Sequence, residues 1–230
     1  MPNSSTNYTI YLKNESSNNQ NFWAFLERPE GLSNKSVYAN SSAFLSVDSN
    51  DRGINSLAIP LQYSLGAGAA EQPVGLGVQI DSSIILRANL KETWETRYAT
   101  IPPRQGPNLN TVQGHQTPDN SISLITNSFD KAKNEDGKWY SNSSFGIQTE
   151  MGFLGVTWSP SPDDQCTITP KFSFYIATGN FSSYELADLE TISRKAAKIE
   201  LSDFRNQEVT VTLTNRGQWI VESGKVLERI

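Results

Sequence analysis

Apolar and polar positions alternate with a period of two in several separate runs of the chain, the signature of strands with one buried face. In NYTIYLKNES, Tyr8, Ile10 and Leu12 alternate with Thr9, Tyr11 and Lys13 before the polar cluster NESSNNQ. The next run, NFWAFLERPEG, breaks the alternation. Phe22, Trp23, Phe25 and Leu26 leave neither face polar until Pro29 and Gly31 stop the run, as expected of a central strand packed on both sides.

Further strands are expected around Val37 and over Phe44 to Val47, followed by the turn cluster Asp48 to Gly53. From Leu57 to Ser83, two alternating runs flank GAGAAEQP and predict a β-hairpin with an extended tip. ETWETRYATIPP places Trp94, Thr96 and Tyr98 on one strand face, and PPRQGPNLNTVQGHQT, from Pro102 to Thr117, reads as a long irregular loop. ISLITNSF is another strand. Asp136-Gly137 signals a turn that leads into a strand through Lys138 to Tyr140.

In SFGIQTEMGFLGVTW, the glycines Gly146, Gly152 and Gly155 inside a strand pattern point to bulges or close backbone approach. TPKFSFYIATGN adds a strand through Phe172, Phe174 and Ile176. A short helix is expected near Tyr184 to Leu189, capped by Ser182 or Ser183, with strand resuming over Ala197 to Leu201. The closing segment alternates Val209, Val211 and Leu213, turns at Asn215-Arg216-Gly217 and returns through Trp219 and Val221, a hairpin. Ten or more short strands and one late helix predict an all-β fold, a two-sheet antiparallel β-sandwich of jelly-roll type spanning 1–230 as one domain.

Bulk composition narrows the partners. With 37% hydrophobic and 10% aromatic residues, the chain carries enough apolar material for a core. A net charge of -5 supplies no basic field for phosphates, so nucleic acid is not an expected partner. No run approaches the ~20 apolar residues of a membrane-spanning helix. Met1 leads a polar segment, so the expected location is the cytoplasm, or outside the cell by a route without a classical signal peptide. Seven Asn-x-Ser/Thr sequons, at Asn3, Asn7, Asn14, Asn34, Asn40, Asn142 and Asn180, are the chance product of an Asn- and Ser-rich chain.

Candidate chemistry is sparse. His115 is the only histidine, and Cys166 is the only cysteine, set in DDQCTIT beside acids that raise a thiol pKa. No Gly-x-Ser-x-Gly elbow occurs. GAGAAEQ lacks the Lys-Ser/Thr of a phosphate loop. The Asp48 to Gly53 cluster puts Arg52 where a calcium loop needs an oxygen ligand. The acid pairs Asp163-Asp164 and Glu185 with Asp188 have the composition of a glycosidase pair, but read first as surface acids. No metal or cofactor is expected, and no catalytic residue is assigned. Of the five tryptophans, Trp139 is the one expected to be exposed beside a turn. Trp139, His115 and Tyr98 are therefore the candidate ligand-binding residues.

YTIYLKNESSNNQNFWAFLERPE near the N-terminus, FYIATGNFSSYELADLETIS, and VTVTLTNRGQWIV near the C-terminus together resemble the RhiA-like proteins, named for a rhizosphere-expressed bacterial protein. The resemblance covers both ends of the chain and, more loosely, its middle. It implies a soluble, non-enzymatic β-protein that takes part in interactions between a microbe and its surroundings. The functional expectation is thus a protein that binds a partner or forms a homo-oligomer. Two alternatives are a carbohydrate- or lipid-binding module of lectin or toxin type, with a glycan or lipid ligand, and an enzyme with a loop-borne site around His115.

Overall fold

The computed structural model describes residues 6–80, 83–99 and 106–226, whose regular elements are nearly all strands. In chain order they are β1 (Asn7–Asn14), β2 (Gln20–Leu26), β3 (Val37–Ser41), β4 (Ala43–Val47), β5 (Ser56–Pro60), β6 (Tyr63–Ala70), β7 (Ile84–Arg87), β8 (Thr93–Arg97), β9 (Asn108–Thr111) and β10 (Ile122–Thr126). After the short helix α1 (Lys131–Asp136) come β11 (Tyr140–Thr149), β12 (Gly152–Trp158), β13 (Gln165–Ile168), β14 (Phe174–Thr178) and β15 (Glu185–Ala187). The helix α2 (Leu189–Ser193) then leads to β16 (Ala197–Ile199), β17 (Glu208–Leu213) and β18 (Trp219–Ser223).

The fold is all-β, and its strands form four ladders, in the orders β18-β17-β1-β5, β13-β10-β8-β9, β15-β3-β12-β11-β6-β7 and β16-β14-β2-β4. Most pairings are antiparallel. Two are parallel, β1 with β17 and β8 with β10. In the first, β1 lies between β17 and β5, so strands from both ends of the chain share one sheet, with Ile10 beside Val209 and Leu12 beside Val211. In the second, the chain returns through β9 before laying β10 alongside β8, which gives a crossover the required length.

A single apolar cluster draws on all four ladders, with Phe22, Phe145, Phe174 and Trp158 fully enclosed. Each such side chain contributes roughly 1.5–3 kcal/mol. The predicted strand faces hold where alternation is strong: Ile10 and Leu12 are buried, as are Trp94, Thr96 and Tyr98. The C-terminal hairpin pairs as expected, with Val211 opposite Val221.

Three local expectations are corrected. The runs from Leu57 to Ser83 do not form a hairpin, because β5 pairs with β1 while β6 pairs with β11 and β7. The GAGAA tip is instead buried strand, where Gly66 and Gly68 oppose Ser144 and Asn142 of β11 and their small size suits that contact. The expected turn at Asp136-Gly137 is the end of α1, which Asp130 starts by accepting from the Lys133 N–H at 3.0 Å and Gly137 stops, so strand begins at Tyr140 rather than Lys138. Within the long loop, Asn108–Thr111 is strand, paired with β8; residues 102–105 of that loop lie outside the described residues.

Candidate functional site

The apolar run of β2 serves two different interiors. Phe22, Ala24 and Leu26 point into the main core, while Trp23 and Phe25 point to the opposite face of the β16-β14-β2-β4 sheet. There Trp23 stacks on Phe44 at 4.4 Å between ring centroids, and Phe181 meets Trp23 and Phe25 edge-on at 5.6 and 5.2 Å. The Trp23 indole donates to the Gly179 carbonyl at 3.1 Å, which fixes the loop that carries Phe181.

Helix α2 lies on this outer face and buries Ile192 against it. Its start differs from the sequence expectation. Glu185–Ala187 pairs with Ser41, Asn40 and Ala39 of β3, which takes the segment into a sheet edge and postpones the helix to Leu189. Asp188, not Ser182 or Ser183, is the cap, accepting from the Glu190 and Thr191 N–H groups at 3.3 and 3.2 Å. The Thr191 hydroxyl, together with these N–H groups, holds the Asp188 carboxyl below its usual pKa.

On either side of α2 the sheet face is open. One cleft, of about 520 Å³, is mainly apolar, walled by Leu76, Ala177, Phe181, Leu186 and Ile192 with Lys195 at its edge. Leu76 is 60% exposed there. The other cleft, of about 740 Å³, is the more polar of the two, and its lining includes Glu27, Lys171, Tyr175, Asp188, Glu190 and Ser193. Asp188 borders both.

Charges alternate from the lining of this cleft, at Glu30, Lys171 and Glu27, to Lys198 and Glu200 beside it. Lys171 lies 3.5 Å from Glu30 and 3.8 Å from Glu27; Lys198 lies 3.4 Å from Glu27 and 2.7 Å from Glu200. Tyr175 stands directly across the ladder from Phe25 on one side and Lys198 on the other. Burial, reinforced by the Glu27 charge, raises its phenol pKa, with Lys198 opposing. Arg28 also lines the cleft, with one guanidinium nitrogen donating to the carbonyls of Leu32 and Lys35.

The residues nominated from sequence line neither cleft. Tyr98 is buried, its hydroxyl donating to the Asn142 carbonyl at 2.6 Å and lying 2.7 Å from the Ser143 hydroxyl, and burial drives its pKa far up. Trp139, expected to be exposed, is half-buried where α1 hands over to β11, its N–H on the Asn134 carbonyl at 2.9 Å. His115 is exposed in the connection between β9 and β10, which is tied to β8 by a 2.7 Å bond between the Thr117 and Thr93 hydroxyls. Of the acid pairs, Glu185 and Asp188 do share the wall of the apolar cleft, whereas Asp164 is engaged by Lys35.

Cys166 is half-buried and its thiol is pushed up to about 11, by burial first, with Lys35 opposing the effect and Asp164 adding to it. Among the described residues, no group of three or more His, Cys, Asp or Glu side chains could hold a metal ion. No helix among them is long and apolar enough to cross a membrane. Three sequon asparagines, Asn14, Asn40 and Asn142, are buried; Asn14, for example, donates to the carbonyls of Asn18 and Val47.

Sequence reasoning missed Glu27, Lys171, Tyr175, Phe181 and Leu76 as site residues. One signal was present: a strand apolar on both faces needs a second layer over its outer face, and that layer borders both clefts. Comparison with curated proteins and with solved structures returned no match. The RhiA family model matches residues 5–224, a span that contains every strand described above and both clefts, and the chain belongs to the RhiA family.

Proposed function

We propose that the protein is a non-enzymatic binding protein whose ligand site is the pair of clefts that α2 divides on the outer face of the β16-β14-β2-β4 sheet. The observation that carries this reading is the combination, on one sheet face, of an apolar cleft of about 520 Å³ and a more polar one of about 740 Å³. Both fall within the roughly 300–1,000 Å³ of small-ligand sites. The non-enzymatic part is supported by the state of the two usual reactive groups: the Cys166 thiol is held protonated by burial, and His115 stands on an exposed connection that lines neither cleft. In this reading the four ladders stack as two layers, a sandwich in the coarse sense, and the binding role serves contact between a microbe and its surroundings.

A fragment screen on the intact chain, followed by amide NMR, tests the reading. Hits are expected to shift resonances of residues 76–77, 175–181 and 185–195. Hits that cluster on 112–121 around His115 instead would transfer the site to that connection.

A second reading, self-association, is favoured by the edge strand β7. Ile85 and Leu86 are 36% and 38% exposed on its two faces, and a bare apolar edge is a pairing surface. Under this reading Leu86→Lys lowers the mass seen by native mass spectrometry; a wild-type chain that is a strict monomer at high concentration would remove it.

A further inference from the structure

We infer that the polar cleft beside α2 takes a neutral, polyhydroxylated ligand, a short oligosaccharide. The inference rests on the binding reading above and narrows it to a ligand class. Its basis is the alternation of charge, Glu30, Lys171 and Glu27 in the lining and Lys198 and Glu200 just beyond it, with neighbouring groups 2.7 to 3.8 Å apart, and the two further lining carboxylates of Asp188 and Glu190 at the start of α2.

A cationic ligand entering this cleft meets Lys171 and carboxylates that are already engaged, Glu27 and Glu30 by Lys171, Glu190 by Arg194 and Asp188 by the N–H groups that open α2, and an anionic one meets the same four carboxylates. Either must shed water against like charge, which is costly. A hydroxyl group carries both a donor and acceptor lone pairs. It can donate to Glu27 or Glu190 while accepting from Lys171, so a polyol satisfies both signs at once. The Glu27 carboxylate is already positioned for this by two ammonium groups, and its side chain remains 19% exposed.

Tyr175 supplies the remaining element, a half-buried ring on the sheet face within the same cleft. An aromatic face packs against the C–H face of a pyranose, while the phenol hydroxyl serves the sugar rim. The volume of about 740 Å³ leaves room for a few sugar units rather than a single ion or a long chain.

The test is titration calorimetry and amide NMR on the full chain with the neutral trisaccharides maltotriose, cellotriose and triacetylchitotriose (the N-acetylglucosamine trimer), beside the cationic glucosamine trimer and the anionic galacturonate trimer. At least one neutral trisaccharide is expected to bind, with shifts confined to residues 27–31, 171–175 and 188–193, and the charged trimers to bind about tenfold more weakly or worse. Tyr175→Ala is expected to weaken binding about tenfold and Tyr175→Phe to retain most of it. Glu27→Gln, which keeps the side-chain volume, should weaken binding several-fold and carries the test if Tyr175→Ala fails to fold. Preference for a charged trimer, or shifts outside the cleft, would overturn the assignment. If no saccharide binds while fragments occupy the clefts, the saccharide assignment falls and the binding reading stands; if nothing occupies the clefts, both fall.

Discussion

The Trp23 indole N–H donates to the Gly179 carbonyl at 3.1 Å, joining a strand from the first tenth of the chain to the loop that builds the apolar cleft. That bond, with the packing of Phe181 against Trp23, keeps the cleft wall in place although the loop itself belongs to no ladder. Trp23→Phe removes the donor and keeps an aromatic ring. The expected result is a loss of about 1 kcal/mol in denaturant unfolding, typical of one net hydrogen bond, together with faster amide exchange over residues 179–181.

Gly146 and Gly155 lie directly opposite each other between β11 and β12, and the Phe153 ring lies over both. A Cβ on Gly155 would fall 2.5 Å from the Phe145 carbonyl oxygen and 2.5 Å from the Phe153 ring. Because one of these neighbours is backbone, the clash has no easy relief. Gly155→Ala should destabilise the fold by about 1–3 kcal/mol, the range for overpacking, and combining it with Phe153→Ala should recover only part of the loss in urea titrations.

The Tyr98 hydroxyl is spent inside the protein, on Asn142 and Ser143. Tyr98→Phe therefore costs about 1 kcal/mol of stability, read as a shift in the unfolding midpoint, and leaves ligand affinity at the α2 clefts unchanged. A loss of affinity at unchanged stability would return Tyr98 to the site.

Cys166 has an ordinary thiol value of 9.0 and is pushed up to about 11 in the fold by burial. At pH 8 only roughly one molecule in a thousand carries the thiolate, so alkylation by iodoacetamide should be slow in the native protein and fast after denaturation. The linkage has a definite sign. The unfolded chain releases this proton first, so the contribution of Cys166 to stability is intact below pH 9 and declines as pH rises from 9 toward 11. Cys166→Ser should flatten that part of the stability profile.

Strands whose alternation was strong, such as Tyr8 to Leu12 and Val209 to Leu213, were legible because apolar and polar side chains take opposite faces, although in the second the threonine face, Thr210 and Thr212, is buried as well. Pairing partners were not, because the code for β5 beside β1, or β1 beside β17, lies in contacts between distant segments. GAGAA misled because small residues serve equally in a hairpin tip and in a close strand crossing. Leu186 and Leu189 carried a helical spacing, but sheet pairing with β3 claimed Leu186 and left Asp188 to cap what remained. As for the site, Trp139 and His115 were prominent by rarity, whereas Glu27, Lys171 and Tyr175 are ordinary residues whose meaning arises only when β2, β14 and α2 come together. The late segment from Phe174 to Ser193, which carried the family resemblance, is also the one that builds the clefts.

The central claim is that ligand binds on the two sides of α2. Hydrogen–deuterium exchange of the intact chain, with and without the tightest-binding compound from the screens, tests it most directly. The account predicts protection concentrated in peptides covering residues 174–195 and 27–31, with the connection at 112–121 unchanged. Protection centred on 112–121 or on β7, with none around α2, would contradict it.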